Sequence, residues 1–134
     1  MKVIVDTDVW SEAFRKKKGG DSVQVKELRL LLEEGRVEML GFIRMEILCG
    51  IRDEASFKKI ESRLALFPDR PLTSEAFVMA AQFFNLCRGK GIQGSNNDFL
   101  ICAASVTWDL PILTKDKDFA RYRKLLPISL QKLR

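Results

Sequence analysis

The sequence predicts an α/β fold, a three-layer sandwich in which a short, mostly parallel sheet is flanked by helices, and three observations lead there. Short apolar runs (KVIV at 2–5, VEMLGF at 37–42, PILT at 111–114 and ISL at 128–130) alternate with longer segments of helical periodicity. That alternation is the mark of strands joined by crossover helices. The first run is continuously apolar, as a strand covered on both faces would be. The 134 residues, 46% hydrophobic and 31% charged, suit one globular domain over 1–134, with no linker, repeat or low-complexity tract.

Taken in order, KVIV is the first strand. A short helix is expected from Val9 to about Phe14, with Asp8 as its cap, and RKKKGGD at 15–21 reads as a basic loop. Ser22 can start the next helix, whose Val25, Leu28, Leu31 and Leu32 recur at helical spacing until Gly35 closes it. VEMLGF is the second strand. Ile43, Ile47 and Ile51 fall on one stripe and predict a helix from Ile43. SFKKIESRLALF at 56–67 extends the helical pattern until Pro68 and Pro71 interrupt it. A capped helix is predicted from about Thr73 to Arg88, ended by Gly89 and Gly91, and another over NNDFLICAASVTW, opened by an asparagine. DFARYRKLL is the last helix, lying between the strands PILT and ISL.

A formal charge of +5 favours a polyanionic partner such as nucleic acid. Cys49, Cys87 and Cys102 form no CxxC pair and sit in apolar stretches, so they read as reduced core residues of a cytoplasmic protein. Neither a signal peptide nor a membrane span is expected, since the N-terminal apolar run is only Val3 to Val5. The chain has no histidine, which removes Ser-His and Cys-His nucleophile pairs and histidine zinc sites. Acid-base or metal chemistry then falls mainly to carboxylates.

In open α/β sheets the working crevice lies beyond the carboxyl ends of the strands. Asp6 falls there, and other acids occupy comparable places. Glu46 lies on the stripe Phe42, Glu46, Gly50, beside the apolar stripe; its ordinary alternative is a pairing with Arg44 or Arg52. Asp98 stands in the first turn of an apolar helix, where the helix dipole alone would favour an acid. Asp116 and Asp118 follow a short strand; one of them, best Asp118, can cap the next helix, leaving the other over. Four acids in one crevice repel, by about 4 kcal/mol for a pair ~4 Å apart at an effective dielectric of ~20. Such clusters are tolerated by sharing protons or by binding cations, and Mg²⁺ or Mn²⁺ suits all-oxygen ligands. With such an ion, phosphodiester hydrolysis becomes possible without histidine.

Asp6 behind VIV, Glu46 in EILCG, Asp98 in DFLICAAS and LTKDKDF at 113–119 together resemble the PIN domain, and more narrowly the VapC-type toxin ribonucleases; the resemblance runs from about residue 2 to 130. It implies a Mg²⁺- or Mn²⁺-dependent endoribonuclease of a toxin–antitoxin pair, neutralised by a VapB-like antitoxin and usually homodimeric. Asp6, Glu46 and Asp98 match the first three family acids, and Asp116 the fourth, with Asp118 its competitor; these would be the metal ligands and catalytic residues. The family commonly has a small hydroxyl or amide residue where this chain has Asp8, which could join the metal shell or simply cap the first helix. Cys102 stands where the family has alanine.

Lys115 and Lys117 flank the fourth acid and, with Arg44, are candidates to hold RNA phosphates. RKKK at 15–18, Arg52, Arg88 and Lys90 could add to them, although charge runs are usually solvated loops. Trp10, Phe14 and Trp108 read as core or dimer contacts. The competing reading is a non-catalytic PIN-like module that acts through a protein partner. A receiver-like phosphoacceptor fits less well, because VEMLGF ends without an acceptor aspartate.

Overall fold

A computed structural model describes residues 1–15 and 19–134; Lys16 to Lys18 of the RKKK run lie outside the described residues. Its centre is a parallel sheet of three short strands, β1 (Val3–Val5), β2 (Val37–Glu38) and β3 (Ile112–Leu113), in the order β2, β1, β3. Val3 pairs with Val37 and Ile4 with Glu38 on one side; Ile4 pairs with Ile112 and Val5 with Leu113 on the other. All of β1 is inaccessible to solvent. This explains its unbroken apolar run, for a central strand has no wet face.

The helices are α1 (Thr7–Phe14), α2 (Val23–Glu33), α3 (Gly41–Cys49), α4 (Glu54–Leu64), α5 (Ser74–Gly89), α6 (Asn96–Trp108) and α7 (Asp118–Tyr122). α1 packs on α2 and α3, α3 on α4, and α5 on α6. The core joins β1 to Leu28 and Leu31 of α2, Ile43 and Ile47 of α3, Phe99 to Ala104 of α6, and Phe119 and Tyr122 of α7. Trp10 is buried there, stacked on Phe14 and edge-on to Phe67; Trp108 is half-buried under the Arg70 guanidinium. The α/β reading therefore holds, with helices around a small parallel sheet.

Several boundaries move, each for a local reason. The cap of α1 is Asp6 rather than Asp8: its Oδ1 accepts the Thr7 N–H at 2.8 Å and the helix opens at Thr7. The second strand stops at Glu38; Met39 makes only a bridge to Asp69, and Leu40 is already the residue before α3. α4 opens before residue 56, because Asp53 accepts the Ser56 N–H at 2.7 Å. Ser95, not an asparagine, caps α6, accepting the Asp98 N–H at 3.1 Å. The ISL strand is reduced to one bridge between Ile112 and Leu130, carried by Ile112 N–H to Ser129 (2.9 Å) and Gln131 N–H to Ile112 (2.8 Å). Cys87 and Cys102 are buried free thiols, whereas Cys49, the last residue of α3 and off its apolar stripe, is exposed.

β1 and β3 end side by side, and the Asp6 N–H continues their ladder to the Leu113 carbonyl at 2.9 Å. The segments beginning at Asp6 and at Thr114 therefore leave the sheet together.

Candidate active site

Asp6 terminates β1 and begins α1, and only 9% of it is exposed. One carboxylate oxygen caps α1; the other accepts a hydrogen bond from the Thr114 hydroxyl at 2.8 Å. That hydroxyl in turn accepts the Asp116 N–H at 3.0 Å. A single threonine thus links the first acid to the backbone of the last. Burial, with repulsion from Asp8 and a smaller share from Asp98, pushes the Asp6 carboxyl up to about 7, against the lowering effect of the Thr114 and Thr7 hydrogen bonds.

Asp8, freed from capping, faces the β3–α7 loop. Its Oδ2 accepts the Lys115 N–H at 3.1 Å, while its buried Oδ1 has no hydrogen-bond partner among the described residues. Burial raises its carboxyl pKa, and the Asp116 charge adds to the rise. An orphaned buried carboxylate oxygen is expensive unless something positive meets it.

Asp98 lies in the first turn of α6, where its Oδ2 accepts a hydrogen bond from the Tyr122 hydroxyl at 2.8 Å. Its pKa is raised by burial and by Asp116, and the Tyr122 and Ser95 hydrogen bonds offset part of that. Asp116, rather than Asp118, organises the start of α7: its Oδ1 accepts the Asp118 N–H at 2.9 Å. The Asp118 carboxylate is 3.7 Å from Arg121 on its own helix. Glu46 pairs with neither Arg44 nor Arg52; its Oε1 accepts the Thr7 hydroxyl at 3.1 Å, which joins α3 to the residue after Asp6.

Asp6, Asp8, Asp98 and Asp116 consequently lie in one another's fields: Asp6 with Asp8 and Asp98, and Asp116 with Asp8 and Asp98. Glu46 is tied in through Thr7. Among the described residues no group of three acids or thiols is gathered closely enough to hold a metal ion in these rotamers. The donor set nevertheless fits a hard divalent cation: every candidate atom is a carboxylate oxygen, burial and mutual repulsion penalise the charges, and one buried oxygen is orphaned.

The cations are arranged differently from the sequence expectation. The Lys115 ammonium is paired with Glu12, a carboxylate only 3% exposed that also accepts the Ser22 N–H at 3.1 Å. The Lys115 contact, against the cost of burial, holds the Glu12 carboxyl down to about 2. Arg44 is turned into the protein, with Nε to Asp69 at 3.0 Å, Nη1 to the Leu64 carbonyl at 2.8 Å, and Nη2 to the Phe67 carbonyl. Lys117 is exposed at the rim. Sequence reasoning passed over Thr7, Thr114, Glu12 and Tyr122. For Thr114 a signal existed, a hydroxyl between a strand and an acidic run; Tyr122 and Glu12 gave none, since their partners lie in other segments.

The sequence matches the PIN domain family model over residues 3–125. It is 32% identical over 120 residues to the VapC ribonuclease Mb1587 of Mycobacterium bovis, covering 87% of this chain and 88% of that protein. The same figures hold for ribonuclease VapC11 of Mycobacterium tuberculosis. Among solved structures, FitAcB from Neisseria gonorrhoeae superposes with a TM-score of 0.75 at 18% identity, over 97% of this chain and 96% of that one. VapBC2 from Rickettsia felis, solved bound to a DNA fragment from their promoter, gives 0.76 at 18% identity over 98% of both chains. The chain belongs to the PIN domain family.

Proposed function

We propose that this protein is a Mg²⁺- or Mn²⁺-dependent endoribonuclease, the toxin of a VapBC-like toxin–antitoxin pair. The observation that carries the reading is the convergence on Asp6: a buried carboxylate at the end of the central strand, in the field of Asp8 and Asp98 and linked through Thr114 to Asp116. The relatives named as VapC ribonucleases supply the substrate class. Asp6, Asp98, Asp116 and Glu46 would hold the cation, with Asp8 as a fifth oxygen donor. A bound divalent ion would supply Lewis acidity for in-line attack of water on the RNA phosphodiester. Thr114 and Thr7 orient the Asp6 and Glu46 carboxylates, the α1 N–H groups hold Asp6 in place, and Lys117 at the rim offers a phosphate contact. As the fourth ligand Asp116, in the field of Asp8 and Asp98, ranks ahead of Asp118, whose half-exposed carboxylate faces Arg121.

The same reading includes a VapB-like antitoxin, a homodimer and a cytoplasmic location. Buried free thiols at Cys87 and Cys102 suit a reducing compartment, and no helix among the described residues is long and apolar enough to cross a membrane. The test is RNA cleavage by Asp6→Asn and Asp98→Asn with Mg²⁺ supplied and folding checked by circular dichroism. Both are expected to lose at least about a hundredfold in rate, the scale of removing a transition-state charge stabiliser. Unchanged cleavage in both would overturn the site assignment, whereas a parent protein that leaves RNA intact with Mg²⁺ supplied would favour the non-catalytic binding module.

A further inference from the structure

Tyr122 is fully buried, its ring sealed between Phe99 (centroids 4.9 Å apart) and Phe119 (5.2 Å). Packing alone would be met by phenylalanine, without the need to satisfy a buried hydroxyl. That hydroxyl reaches Asp98 Oδ2 at 2.8 Å. Gly94 supplies an independent observation. A Cβ there would lie 2.2 Å from the Tyr122 hydroxyl oxygen and 2.8 Å from its Cζ. The φ of Gly94 is not positive, so backbone conformation does not demand a glycine; the phenol head, with the Phe99 ring edge 3.0 Å away, does.

We propose that Tyr122 is a positioning residue of the active site: its hydrogen bond fixes the orientation in which Asp98 meets the divalent cation, and Gly94 is the space that admits the phenol. The inference rests on the metal-nuclease reading and extends it to residues outside the acid set. It also ties the third acid to the fourth, because Tyr122 closes the same helix whose first turn Asp116 organises. Docking of α7 and orientation of Asp98 become one event.

The test uses the full chain, with Mn²⁺ binding followed by calorimetry and RNA cleavage by steady-state kinetics. Tyr122→Phe keeps the ring and is expected to weaken Mn²⁺ binding about tenfold, the scale for partners of metal ligands. At fixed subsaturating Mn²⁺ its kcat should fall while KM for RNA stays constant, and added Mn²⁺ should restore kcat. Gly94→Ala should weaken Mn²⁺ binding with the phenol still present, and should cost less in the Tyr122→Phe background than in the parent. Should Gly94→Ala fail to fold, Tyr122→Phe decides. Wild-type Mn²⁺ affinity and kcat in Tyr122→Phe overturn the inference; if Asp98→Asn then abolishes Mn²⁺ binding, the nuclease reading still stands. Wild-type Mn²⁺ binding in Asp98→Asn overturns both.

Discussion

Asp6 has two duties that pull against each other. As the cap of α1 it needs only an oxygen acceptor, which asparagine also provides; as a metal ligand it needs a charge, and that charge sits buried beside Asp8 and Asp98. The folded carboxyl titrates at about 7 against an ordinary 3.8. As pH rises between those values the unfolded chain releases a proton that the fold retains, so metal-free stability falls across this window and the penalty is complete above about 7. In the presence of a chelator, Asp6→Asn is therefore expected to be more stable than the parent at pH 8, by about 1–3 kcal/mol. The gain should shrink toward zero near pH 4. Thermal melts at the two pH values check this, and an equal or lower melting temperature at pH 8 would mean that the buried charge is not a strain on the fold. Asp6 itself was readable, being an acid directly behind a continuously apolar run. Its pairing with Thr114 was not, because a hydrogen bond across 108 positions leaves no local spacing to detect, even though the hydroxyl itself stands visibly between a strand and an acidic run.

The β3–α7 loop is held by a contact that belongs to neither of its flanking elements. Glu12, inside α1, takes the Lys115 ammonium from the loop and the Ser22 N–H at the start of α2, so three elements meet on one carboxylate. Lys115→Met would remove one charged partner from that carboxylate and is expected to destabilise the protein by about 1–3 kcal/mol. Adding Glu12→Gln should cost less in the Lys115→Met background than in the parent. The Glu12 carboxyl is held down to about 2 from an ordinary 4.5, so its contribution is fully present above 4.5 and is lost as pH falls toward 2. Denaturant melts between pH 7 and pH 3 should accordingly bring parent and Lys115→Met closer together as the acid range is entered; a gap that stays constant would refute the assignment. Elements with their own periodicity, such as α2 and α5, were legible almost to the residue. β2 and the ISL segment were overread, because a buried apolar run looks the same whether it pairs for six residues or two. Capping by Asp53 and Ser95 lies in short polar stretches that periodicity does not weigh.

Across the whole molecule, Asp6 and Asp116 leave the carboxyl edge of the sheet while an exposed aromatic stands on α5. Phe77 is 52% exposed and lines a hollow of about 350 Å³, with Ala81, Phe84, Leu100 and the amides of Asn85 and Asn96, where α5 meets α6. A half-exposed phenylalanine at the mouth of such a hollow is a surface that a monomer has reason to cover. The homodimer implied by the resemblance gives it an occupant, a second copy of the same face. A two-fold contact would use each exposed residue twice, so one unfavourable substitution acts twice as well. Phe77→Lys introduces a charge into both halves of such an interface and leaves the buried side of α5, Ala76, Ala80 and Cys87, untouched. It is expected to convert a micromolar dimer to monomer in sedimentation velocity, with the circular dichroism spectrum unchanged. A parent that sediments as a monomer, or a Phe77→Lys variant that remains dimeric, would place the association elsewhere and leave this patch to another partner.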